Sequence, residues 1–154
     1  MREQFKPDLW ESYLTDTCYT YALNLFIGER RYVGDLTLGQ RVATSVSNDQ
    51  LLRLLHLELE QAGLSPKTVS EDAPLPPDRR RICIVRKSDN VGYYHFYRQD
   101  ADGIWSHKVP GQMPTQKGRT GNLIHRVQME AEDGYLVLEF ISVAADSTLA
   151  LLRQ

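Results

Sequence analysis

Residues 49–62 read DQLLRLLHLELEQA, with leucines at 51, 52, 54, 55, 57 and 59. This spacing predicts an amphipathic helix with a wide apolar face. Ser47, Asn48 and Asp49 are candidate N-caps, and Gly63 supplies the stop. A shorter helical pattern covers residues 17–27. It buries Cys18, Ala22 and Leu25 or Phe26, with Asp16 or Thr17 as N-cap and Gly28 as its end. Ahead of it, Phe5, Trp10 and Tyr13 scatter around Pro7 and predict an N-terminal arm laid onto the core. Residues 29–41 read as a loop with turns at Gly34 and Gly39.

The periodicity changes after a stretch holding Pro66, Pro74, Pro76 and Pro77, which reads as a surface loop or linker over residues 65–80. Strand-like runs follow: RRICIVRK at 80–87, then 92–99, 104–109 and YLVLEFISV at 135–143. Asp100-Ala101-Asp102-Gly103 is rich in turn formers, so the second and third runs should pair as antiparallel neighbours. The pattern predicts a single α+β domain over 1–154. Its helical half is about 1–64, and helices pack on an antiparallel sheet formed by 81–154.

Composition is ordinary for a globular chain: 42% hydrophobic and 25% charged residues over 154 positions. The formal net charge of −2 offers no global field toward nucleic acid or anionic lipid. Arg79, Arg80, Arg81, Arg86 and Lys87 form the richest basic cluster, which reads as a solvated strand edge. No apolar run spans a bilayer or resembles a signal peptide, which predicts a protein that is cytoplasmic as synthesised.

Candidate chemistry centres on three residues. Cys18 falls in the first turn of the short helix, where unpaired N–H groups and the helix dipole favour a thiolate. A free cysteine is also a common small core residue, which is the reading for Cys83 in its apolar strand. His95 lies among Tyr93, Tyr94, Phe96 and Tyr97, and alternation puts Tyr93, His95 and Tyr97 on one face. A turn centred on 101–102 sets His95 opposite about Lys108, within one position of His107. The two imidazoles then approach, given a favourable register. Asn122 is an alternative orienting residue, and His56 and His125 are weaker candidates. Cys18, Cys83, His95 and His107 are zinc-ligand types, but their spacing matches no zinc motif, and no glycine-rich phosphate loop is present. No cofactor and no metal are expected.

Taken together, Cys18 opening a helix, His95 on a core strand and His107 twelve residues later resemble the papain-like cysteine hydrolase superfamily. The likeness is nearest the NlpC-type branch of bacterial amidases and endopeptidases. The HFYRQDADGIWSHKVPG run, paired with an early CYTYALN, also resembles segments of small bacterial and phage proteins. The chain departs from the branch in having Thr17-Cys18-Tyr19 where Asp-Cys-Ser is usual. The resemblance implies a papain-like fold and a thiol hydrolase or amidase. In it, Cys18 attacks, His95 takes the proton and His107 orients His95. Tyr13 is the implied oxyanion donor, and Tyr93 and Trp105 are implied substrate-side aromatics. The implied substrate is a peptide, a peptidoglycan stem peptide or a host protein, with delivery by phage or secretion system. The alternative is an inactive binding module or inhibitor on the same fold, docking on a host protein.

Overall fold

The computed structural model describes residues 4–87, 93–131 and 134–145. Gly92, the expected first residue of a strand, and positions 146–154 lie outside the described residues. A 3-10 helix over Pro7–Tyr13 begins the chain. It is followed by α1 (Cys18–Ala22), α2 (Asn48–Gln61), β1 (Lys67–Val69), β2 (Arg79–Lys87), β3 (Tyr94–Gln99), β4 (Trp105–Ser106), α3 (Gln128–Ala131) and β5 (Tyr135–Ala144). The strands form one five-stranded sheet in the order β1-β5-β2-β3-β4, and every pairing is antiparallel. The architecture is therefore α+β, as the pattern predicts.

The long helix forms as expected. The Ser47 hydroxyl accepts from the Gln50 amide, Ala62 closes the last turn, and Gly63 adopts φ 78°. Leu51, Leu55 and Leu59 enter the core beside Ile82, Ile84, Ile141 and Val143. Glu58 is also fully buried on that face. Its carboxylate accepts from the Tyr19 hydroxyl at 2.8 Å and from the amides of Gly34, Leu36, Thr37 and Leu38. The loop after residue 28 is thus wrapped around one carboxylate.

The short helix stops earlier than its pattern predicts. Thr17 and Thr20 close a capping box, but the helix ends at Ala22. Asn24 takes a left-handed φ of 56°, its amide returns to Tyr21 O, and that of Leu25 returns to Thr20 O. These two bonds make a Schellman close with asparagine in the glycine position. Gly28 instead begins the next turn, its amide held by the Asp16 carboxylate at 2.9 Å. The N-terminal arm is seated by Trp10, which is buried and stacks on Phe26 at 4.1 Å between ring centroids.

Two further expectations are corrected. The proline-rich stretch is not all loop, since β1 lies inside it and pairs with β5 through Lys67–Ser142. The basic cluster is not a strand edge, because β2 lies between β5 and β3. Both its faces are covered, and Arg80, Arg81 and Arg86 are buried. Each guanidinium donates to oxygens the sequence does not advertise: Leu23 O and Ala145 O for Arg80, Gln99 Oε1 and Ala73 O for Arg81. Arg86 reaches Thr44 O, Val46 O and Asn48 Oδ1. No helix among the described residues is long and apolar enough to cross a membrane.

Candidate active site

The hairpin that carries the two histidines pairs Arg98 with Ser106 and Gln99 with Trp105. This register is one residue away from the expected one. Continued along the strands, it sets His107 opposite Tyr97, which shares a face of β3 with His95. The one-residue difference decides the site, because in the expected register the imidazoles would point to opposite faces. The observed rings lie edge to face with centroids 5.0 Å apart, and His95 Nε2 is 2.8 Å from His107 Nδ1. Behind them, the chain folds back so that His107 and Thr115 exchange both backbone bonds. The return places Lys117 O 3.0 Å from His107 Nε2.

These contacts fix the proton positions. A carbonyl only accepts, so His107 Nε2 carries the hydrogen and, in a neutral ring, Nδ1 does not. His95 must then donate from Nε2 to His107 Nδ1. The result is a directed chain from His95 through His107 to the Lys117 carbonyl, which leaves His95 Nδ1 as an open acceptor. Desolvation, with the His107 charge second, pushes His95 down to about 3. Burial also lowers His107, and the bond to Lys117 O opposes it. At neutral pH both rings are uncharged, and His95 is a base that gains its proton only transiently.

Cys18 is 7% exposed and lies in the first turn of α1, as expected. Burial pushes its thiol up to about 11, while the amides of Phe96, Tyr19 and Cys18 itself and the charge of Lys108 pull the other way. Among the described residues no hydrogen bond joins Cys18 to either histidine. Cys18 packs with Tyr94 and Phe96 on one face of β3, whereas His95 shares the opposite face with Tyr97. The structure thus brings the two histidines together and leaves the cysteine on the other side of the strand. The ground state therefore holds a neutral thiol and, on the other face of β3, a neutral imidazole relay.

The segments are joined by a buried polar seam. Arg98 lies with its guanidinium carbon 4.0 Å over the Tyr21 ring and bonds Asp100 Oδ1 at 2.9 Å, Tyr21 O and Asn24 Oδ1. Read from the sequence alone, Arg98 has no assigned role. Its place in an alternating strand facing the helix was the available signal. Lys108 was likewise passed over, although it follows His107 directly.

The remaining candidates are placed as follows. Tyr93 is 70% exposed and lines two cavities. One, about 350 Å³, also touches Lys87, Tyr94, His95, His107, Val109 and Tyr135. The other, about 380 Å³, touches Tyr32, Arg41, Val42, Thr44 and Tyr94. Trp105 is not on this surface. It is fully buried against Phe140, which corrects its assignment to the substrate side. Asn122 is exposed and bonds Thr120, so the orienting partner of His95 is His107 instead. Tyr13 packs edge-on against Trp10 and Phe26. His56 bonds Glu139 at 2.7 Å, tying α2 to β5, and His125 is exposed. Cys83 is a free, buried thiol. Among the described residues no three His, Cys, Asp or Glu side chains gather in a way that suits a metal ion. Comparison of the chain with known protein families, with curated proteins and with solved structures found no match.

Proposed function

We propose that the protein is a papain-like thiol hydrolase or amidase acting on a peptide-like amide. The observation that carries this reading is the directed chain His95–His107–Lys117 O, with an acceptor nitrogen left open on a histidine that lines a cavity of about 350 Å³. A nucleophile, a base and an orienting group are the parts that acyl transfer requires.

The mechanism requires the Cys18 thiol to come round from the Phe96 face of β3 to the His95 face. Its proton then passes to His95 Nδ1 as Sγ bonds to the substrate carbonyl carbon. The cost of a resting thiolate is avoided because transfer and attack occur together. His107 accepts a bond from the His95 cation that forms, and Lys117 O holds His107 in the accepting tautomer. Collapse of the tetrahedral intermediate breaks the C–N bond, and His95 returns its proton to the departing amine. Water, deprotonated by His95, then cleaves the thioester and releases a carboxylic acid and the free thiol. The Cys18 and Tyr19 amides, at a helix N-terminus, are candidates to hold the oxyanion, and one such donor is worth about 3–4 kcal/mol. The two cavities share Tyr93 and Tyr94, so a substrate chain has an aromatic-walled path to the histidines. A peptidoglycan stem peptide or a host protein amide both have the required chemistry.

The test is turnover of peptide amides and stem peptides by purified wild-type protein and by three variants. Cys18→Ala should abolish turnover, His95→Ala should nearly do so, and the double variant should be no worse. His107→Ala should cost less, since water can replace part of an orienting bond. Full activity in all three variants would exclude a thiol mechanism. The raised thiol and its near-complete burial favour a second reading, a papain-like binding module without turnover. Under that reading an electrophilic thiol probe labels Cys18 equally with and without His95.

A further inference from the structure

Lys108 is a cation whose charge acts on the proposed nucleophile, and it is only 1% exposed. Its ammonium donates to Leu14 O and Asp16 O, each at 2.6 Å, and to Val109 O at 3.5 Å. All three acceptors are carbonyls, so no carboxylate hydrogen bond cancels the charge. Burying an ammonium in this way is costly unless its protons are all placed. The Gly111 amide bonds the same Leu14 O at 2.6 Å. The chain leading into α1 is therefore pinned, two residues before Cys18, by the segment that directly follows His107.

We propose that Lys108 is a positioning residue for Cys18, clamping the start of α1 to the histidine hairpin and keeping a fixed positive charge beside the sulfur. This rests on the reading of Cys18 as the nucleophile. The titratable and charged groups that bear on the thiol are few. Lys108 faces it from the end of the hairpin and Tyr94 from β3, while Tyr19 is its neighbour on α1. Asp16 sits ahead of α1 and acts on Lys108, and Glu58 faces Tyr19 from α2. The Asp16 carboxylate is spent on Thr20 Oγ1 and on the Ile27 and Gly28 amides. The ammonium is thus the one group of this set that favours the thiolate. The effect is reciprocal: burial lowers Lys108, while Asp16 and Cys18 raise it.

The experiment is the pH dependence of Cys18 alkylation by iodoacetamide in wild type, Lys108→Met and Lys108→Arg, with Cys18→Ser to subtract Cys83. Lys108→Met should move the midpoint upward by about one unit and slow labelling about tenfold at a fixed pH below it. Lys108→Arg, which keeps the charge, should recover part of that loss. A folded Lys108→Met with a lower melting temperature and an unchanged profile would overturn the proposal, leaving a structural clamp only. If Lys108→Met does not fold, the Lys108 side-chain carbon signals are titrated by NMR in wild type and in Cys18→Ser. Identical curves would also overturn it. These readouts need no turnover. An altered profile without hydrolysis removes the hydrolase reading alone, and an unchanged profile with hydrolysis removes the Lys108 role alone.

Discussion

The Tyr21 hydroxyl and Ser106 Oγ stand 2.6 Å apart, and both are buried. The bond joins α1, which carries Cys18, to β4, which leads directly into His107. Tyr21→Phe keeps the ring beneath Arg98 and beside Trp10 but removes the tyrosine hydroxyl from Ser106, which retains its bond to Asp100. The expected loss is about 1–2 kcal/mol of stability. Chemical denaturation measures it, and hydrogen exchange should quicken first at α1 and β4.

Arg98 and Asp100 form a buried ion pair in the same seam. Burial pushes the Asp100 carboxyl up, against the pull of Arg98 and the bonds from Ser106 and Gln116. Arg98→Met leaves that carboxylate without its cation and should cost about 3–5 kcal/mol. Adding Asp100→Asn should return part of the loss, because the uncompensated charge is then gone. Thermal melts of the two single variants and the double variant read the coupling.

Acid should loosen the molecule through His95. Its folded value is depressed from 6.5 to about 3, so the unfolded chain binds the proton more readily. The stability held by the neutral ring is complete above about pH 6.5 and declines as pH falls toward 3. His95→Gln should flatten that part of the stability profile. At neutral pH, nitrogen-15 spectra should show His95 protonated at Nε2 and His107 at Nε2, with both Nδ1 atoms bare. A bare Nε2 on His95 would reverse the direction of the relay.

Glu58→Ala removes the acceptor for four backbone amides and the Tyr19 hydroxyl. Each buried donor left unpaired costs about 1–3 kcal/mol. The loss should exceed about 3 kcal/mol, and loop 34–38 should become protease-sensitive. A silent Glu58→Ala would contradict the structure of that loop.

The sequence exposes elements whose side chains act through spacing. The leucine rhythm of α2 and the turn at Asp100–Gly103 need nothing beyond the local chain, and both appear as expected. Alternation placed His95 and Tyr97 on one face of β3, and Tyr97 does lie in a different cluster from Phe96. Spacing did not reveal that Cys18 packs with Phe96 rather than on the histidine face. What spacing does not reveal is where carbonyl oxygens gather. Arg80, Arg81, Arg86 and Lys108 look like solvent-seeking charges because their acceptors lie on distant segments. The end of α1 was misplaced for a related reason, since Asn24 fills a left-handed position that usually signals itself with glycine. The histidine pair was nearly legible. Its spacing was right, but a register difference of one residue separates an assembled relay from none.

β5 is the last strand among the described residues, yet it lies second in the sheet, between β1 and β2. Its Ile141 and Val143 belong to the cluster that seats Cys18 and α1. During synthesis the cysteine emerges well before β5 and waits for a platform made more than a hundred residues later. Until β5 slots in, β1 has no partner, β2 lacks one neighbour, and the thiol has no fixed surroundings. The order of translation therefore acts as a timer, and a chain still attached to the ribosome carries the cysteine and both histidines before the sheet that positions them is closed.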